Sequence, residues 1–267
     1  MHRLALLGVL ISIVCSDEAR GQTACTVPDA VRAGVEGPPP ADVWYETRWV
    51  AGAEGAEVPL GVGHLRRSDR NPSVDQPPGE DDWLLRFETP LSPAPDEPAN
   101  AWIARGWVIR RDGEPLALSR ADQVETGYEE PSLIVLESSP GWLRVRFGRD
   151  RDASGWVPEC ALEEGPVLLD YFSWSAWLLS GEISPLFFRA ETPDDLFASP
   201  VADADHAPIS GDYHMEPLEV RGPWMRVRVK EPSDYCEFDL KSNVREGWIR
   251  WYDAEAGPRV WYHTRGC

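Results

Sequence analysis

The residues of this chain that could do chemistry are not arranged for catalysis. Its five histidines, His2, His64, His206, His214 and His263, form no His-Glu-x-x-His or comparable ligand spacing. No Gly-x-Ser-x-Gly elbow and no Gly-rich phosphate loop occurs. Asp150-Arg151-Asp152-Ala153-Ser154-Gly155 has the spacing of the first half of a calcium loop, but Ala161 stands where a bidentate Glu belongs. A solvated turn is the preferred reading, and neither a metal nor a cofactor is expected. Carboxylates are so abundant that chance pairs are inevitable, which leaves a glycosidase-like pair without a readable signature. The expectation is a chain without enzymatic activity.

Aromatic residues are the stronger candidates. Trp83, Trp142 and Trp224 each open an apolar–basic alternation and fall on its polar face, as in Trp142-Leu143-Arg144-Val145-Arg146-Phe147. Flat exposed rings suit neutral sugars or extended peptides, because they offer contact area at low entropic cost. Packing between structural units is the competing role for each. The cluster Tyr171, Phe172, Trp174 and Trp177 is the best candidate docking surface, and equally a candidate core between units.

These residues need elements to hold them, and composition bounds what the elements are. Thirteen tryptophans and 25 prolines point to short strands joined by many turns. Leu143, Val145 and Phe147 share one strand face, as do Met225, Val227 and Val229, the pattern of a sheet buried on one side. One phrase recurs three times: Trp83 leads to Gly106-Trp107-Val108, Trp142 to Gly155-Trp156-Val157, and Trp224 to Gly247-Trp248-Ile249. Each is followed by a Pro-containing turn, at Pro115, Pro166 and Pro258. Such repetition signals small repeated units in place of one large domain. Trp107, Trp156 and Trp248, directly after glycine, are read as structural.

Residues 1–21 have the charged–apolar–small layout of a secretory signal, cut before Gln22. Its apolar run, Leu4 to Val14, is shorter than the ~20 residues a membrane span requires. A periplasmic or secreted product with no membrane span is expected. Arg3 and Arg20 cancel Asp17 and Glu18, so cleavage leaves the formal charge of −19 intact. That surface repels nucleic acid, whose binding depends on Lys and Arg. Cys25, Cys160, Cys236 and Cys267 remain, an even number suited to two disulfides in an oxidising compartment. Three pairings are open. Cys236–Cys267 and Cys25–Cys160 are favoured, and no Cys-x-x-Cys spacing supports zinc.

The repeated Trp strand, variable turn and closing Gly-Trp-Val/Ile resemble the bacterial SH3-like (SH3b) domain. The copy from Pro115 to Leu162 matches best. Asp195 to Tyr252 follows with an enlarged hairpin. Val58 to Arg110 departs most, with an obscure middle strand and Phe87 where Val belongs. The resemblance implies an all-β fold of three small SH3-like barrels in tandem, with an aromatic hairpin inserted between the second and third. The expected organisation is a signal at 1–21, an arm and Pro-rich linker at 22–57, and units at 58–113 and 114–166. An aromatic hairpin or connector at 167–190 follows, then a unit with a C-terminal strand at 191–267. It further implies a non-catalytic binding role at the cell envelope, with a cell-wall glycan or peptide as partner. An acidic scaffold for a basic envelope protein is the alternative, and a hydrolase or inhibitor a more distant one.

Overall fold

A computed structural model describes residues 25–37, 59–71, 83–111, 115–117, 123–127, 130–148, 153–181, 183, 185–189, 194–236 and 241–263. The expected signal, most of the linker and Cys267 lie outside the described residues. The described residues are mostly β, in curled antiparallel sheets, as the alternating strands imply.

The chain first forms a short helix, α1 (Asp29–Arg32), then β1 (Gly63–Arg67). A 3-10 turn at Trp83–Leu85 leads to a four-stranded sheet of β2 (Thr89–Leu91), β3 (Ala101–Ala104), β4 (Trp107–Arg110) and β5 (Pro115–Ala117). Next come β6 (Gln123–Gly127), β7 (Glu130–Ser139), β8 (Trp142–Arg146) and β9 (Ser154–Pro158). Helix α2 (Cys160–Glu164) then carries the chain to β10 (Leu169–Ser173). β7, β8 and β9 form a meander. β1 extends it by pairing with β7 through Leu65↔Leu133 and with β10 through Leu65↔Tyr171. Leu65, Leu133, Leu143, Val145 and Val157 fill the interior.

The C-terminal half repeats that plan. Helix α3 (Trp174–Leu178) precedes β11 (Leu186–Phe188), the hairpin β12 (Asp195–Phe197) and β13 (His206–Pro208), then the meander β14 (His214–Arg221), β15 (Trp224–Glu231) and β16 (Asn243–Arg250). A small ribbon, β17 (Tyr252–Asp253) with β18 (Gly257–Pro258), leads to β19 (Val260–Tyr262). β11 pairs with β14 and with β19, as β1 does with β7 and β10. The alternation of β15 places Met225, Val227 and Val229 in the core, each fully buried.

Strand pairing crosses the expected unit boundaries. The stretch 58–113 does not close on itself among the described residues, because β1 pairs with β7 of the next expected unit and with β10 of the expected connector. β5, expected to open the unit at 114–166, instead completes the sheet of β2 to β4. Trp83-Leu84-Leu85-Arg86-Phe87 is a turn, not a strand. Trp83, Leu84 and Phe87 are all buried, a set that one helical turn gathers and a two-residue alternation separates. Residues 68–129 are therefore an excursion between the first and second strands of the unit that runs from β1 to β10.

The aromatic stretch 167–190 is not a hairpin. It supplies β10, α3 and β11, the last strand of one unit and the first of the next. Ser173 caps α3, its hydroxyl accepting from the Ala176 amide at 3.3 Å. Trp174 and Trp177 enter one core with Leu60, Val124 and Ile134 of the first unit and Met215, Val260 and Trp261 of the second.

Cys25 bonds Cys160, the pairing favoured from sequence, and ties the N-terminal arm to α2. Val27 and Val35 of the arm bury against Ala104 and Ile109. The Trp107 indole N–H donates to the Gly37 carbonyl at 2.8 Å, so this tryptophan holds the arm. Cys236 is disulfide-bonded, while its favoured partner Cys267 lies outside the described residues.

Candidate functional site

Most of the aromatic candidates are structural. Trp83 is 3% exposed and donates its indole N–H to the Pro131 carbonyl at 3.0 Å. Trp174 is fully buried and bonds the Leu60 carbonyl at 2.8 Å. Trp177 donates to the Tyr262 hydroxyl at 2.6 Å, which in turn donates to the Thr126 carbonyl at 2.9 Å. This chain of donors, fixed at both ends, joins the two units. Phe172 is half-buried against Trp177, with ring centroids 5.4 Å apart. Of the four-residue docking cluster, Trp174 and Trp177 are thus core. Tyr171 is half-buried, and burial raises its phenol pKa.

Trp224 is buried, with Phe197 edge-on at 5.1 Å and the Arg250 guanidinium 5.1 Å above its ring. Trp248 carries Arg221 in the same way at 5.0 Å. Along the rest of that face the charges are paired. Arg228 lies 3.0 Å from Glu246 and 3.1 Å from Glu216. The hydrogen bond from Arg228 holds the Glu246 carboxyl below its usual range. Trp142 remains half-buried at the start of β8.

The Gly-Trp phrases explain themselves at the strand crossings. In the C-terminal unit, β12 lies across β16 at Phe197↔Trp248. A Cβ on Gly247 would come within 2.7 Å of both the Leu196 side chain and the Phe197 carbonyl. In the first unit the chain after β2 lies across β9 at Ser92↔Trp156, with mutual backbone hydrogen bonds of 2.9 Å. A Cβ on Gly155 would meet Leu91 at 3.1 Å. Glycine is the residue that lets one backbone approach another this closely. Gly106 differs: with Arg105 it forms the two-residue β3–β4 turn, both at positive φ, 54° and 78°.

A cleft of about 420 Å³ opens beside the Ser92–Trp156 crossing. Leu91, Pro93, Phe147 and Gly155 give it an apolar wall, and Ser92, Asn100, Ser154, Arg110 and Arg111 give polar groups. Its size and mixed lining suit a small ligand or the end of a larger one. Arg111 donates to the Ala99 carbonyl at 2.9 Å. Neither Arg110 nor Arg111 contacts a carboxylate among the described residues. By contrast Arg144, Arg245 and Arg259 each reach one within 2.7 Å. The arrangement can hold an anion against an apolar surface.

Sequence reasoning missed this cleft. Asn100, Arg110 and Arg111 belong to no motif, and only the pairing of β3 with β4 and the crossing over β9 bring them to Ser154. The calcium-like string falls partly at this place. Asp150 and Asp152 lie outside the described residues, and the Ser154 hydroxyl accepts from the Arg144 guanidinium at 2.9 Å. Among the described residues no group of three His, Cys, Asp or Glu could hold a metal ion, and no helix is long and apolar enough to cross a membrane.

No family model, curated protein or solved structure matches the chain.

Proposed function

We propose that this chain is an exported, non-catalytic binding protein whose two five-strand units are SH3-like barrels, and that it engages cell-envelope material such as peptidoglycan peptides. The common strand plan supports the barrel assignment: a first strand paired to both the second and the last, around a three-strand meander. The Cys25–Cys160 disulfide supports export, since such bonds persist in oxidising compartments. The observation that carries the binding role is the cleft at the Ser92–Trp156 crossing, which joins an apolar wall to two arginines that meet no carboxylate among the described residues. Buried candidate rings such as Trp174 favour this cleft over an aromatic platform.

The test is co-sedimentation of the purified chain with insoluble peptidoglycan across a salt series. Retention that soluble wall peptides reverse is the expected result. Absence of retention at every salt concentration removes the reading. Association with basic proteins alone, lost as salt screens the charges, would favour the scaffold alternative instead.

A further inference from the structure

We infer that the cleft beside the Ser92–Trp156 crossing takes the free C-terminal carboxylate of a peptide ending in a small apolar residue, with Arg110 and Arg111 as its anion anchors. The inference deepens the binding reading above by naming the part of the ligand that is recognised.

Charge is the first argument. The chain carries 45 acidic against 26 basic residues, so an arginine here has abundant potential partners. On the outer face of β15, Arg226 and Arg228 both reach Glu246. Arg110 and Arg111, adjacent at the end of β4, reach no carboxylate among the described residues and line a cavity instead. Two guanidinium groups that meet no counter-charge among the described residues, held beside a partly enclosed space, offer a site for an anion. Arg111 is fixed at both ends, by its amide to the Asn100 carbonyl at 3.0 Å and by its guanidinium to Ala99.

The second argument is the rest of the lining. An inorganic anion has no use for Leu91, Pro93 and Phe147, which present apolar surface to the same space. A carboxylate carrying a small aliphatic side chain uses both parts. The Asn100, Ser92 and Ser154 side chains can then meet the backbone N–H and C=O groups of the ligand. A peptide C-terminus supplies all of these within the ~300–1,000 Å³ usual for such sites. A neutral glycan lacks the anion, and two arginines are too few to neutralise the run of phosphates that nucleic-acid binding requires.

The experiment titrates the full chain with acetyl-Ala-Ala-Ala as the free acid and as the C-terminal amide, followed by calorimetry. The free acid is expected to bind and the amide to bind roughly tenfold to a hundredfold more weakly, the range for one lost charged hydrogen bond. Arg110→Ala with Arg111→Ala should remove the preference for the acid, while Arg110→Lys should keep part of it. Unchanged melting of the double variant shows that the sheet is intact, and Arg110 is exposed, so this is expected. Equal binding of acid and amide overturns the inference, as does absence of binding by both, or full affinity in the double variant. Peptidoglycan retention that survives the double substitution leaves envelope binding standing and removes the carboxylate cleft. Acid-selective binding without retention does the reverse.

Discussion

The two five-strand units differ chiefly in what separates the first strand from the second. In the C-terminal unit residues 189–213 suffice, and their hairpin lies flat on β16 with no space between Leu196 and Gly247. In the first unit residues 68–129 intervene, build the sheet of β2 to β5, lay β6 along β7, and meet β9 through Leu91 and the Ser92–Trp156 bridge. A short excursion packs shut and a long one leaves a cleft. The long one also needs anchoring: a disulfide, the arm beneath Trp107, and the Ser92–Trp156 bridge. The difference teaches that one strand plan can pack shut in one copy and leave open space beside the crossing in the other.

The largest expected effect comes from cutting the anchor. Replacing Cys25 and Cys160 by Ser removes a link across 135 residues, and the chain-entropy account assigns that about 5 kcal/mol. Denaturant unfolding should show that loss. Hydrogen exchange should locate the new exposure in β2 to β4 and spare β14 to β16. Equal loss of protection in both units would erase the asymmetry drawn here.

The joint between the units carries the next effect. His64, fully buried, stacks on Trp174 at 4.6 Å and meets Trp177 edge-on at 5.0 Å, and neither ring nitrogen has a hydrogen-bond partner among the described residues. Burial first, and the Arg66 charge second, lower its pKa to about 3. A proton then favours the unfolded chain, whose His titrates near 6.5. The stability that the neutral ring permits is complete above pH 6.5, falls as pH drops from 6.5, and is lost by about pH 3. The full span corresponds to about 4–5 kcal/mol. His64→Phe should be as stable as the native chain or more so at pH 7, since it removes unpaired polar atoms. It should also flatten the stability-against-pH curve between pH 6 and 4. An unaltered slope in the variant would mean that the histidine is not what makes this joint acid-sensitive.

Much of this was legible in the sequence, and the illegible parts have physical causes. The alternations of β8 and β15 gave their buried faces directly, because a half-buried strand must alternate. The Cys25–Cys160 pairing was favoured as a tie between the N-terminal arm and the body, but sequence left three pairings open and the fold decides. The triplication did not survive as three equal copies. Gly106-Trp107 has the same letters as Gly155-Trp156, but its glycine serves a positive-φ turn, whereas the other serves a crossing. A two-residue phrase cannot separate these uses, because the neighbour that decides lies elsewhere in the chain. The nesting of β2 to β5 between β1 and β7 was hidden for the same reason: pairing is a long-range property. The cleft inherits that invisibility, since Arg110 and Ser154 become neighbours only through it.

The glycines at the two crossings offer a finer division. Gly247→Ala must force a methyl to 2.7 Å from a backbone carbonyl, which cannot rotate away. We expect a loss of about 3 kcal/mol, the upper range for overpacking, seen as a lower denaturation midpoint with an unchanged slope. Gly155→Ala is milder. Its new methyl meets side-chain carbons of Leu91 at 3.1 and 3.3 Å and of Phe147 at 3.4 Å, all on a wall with open space beside it. Leu91 can give by tenths of an ångström, so the cost should stay near 1 kcal/mol. The same methyl protrudes into the cleft, so binding there should weaken more than folding. If the two alanine substitutions cost the same, β2 packs on β9 as tightly as β12 on β16, and the first unit has no room for a ligand.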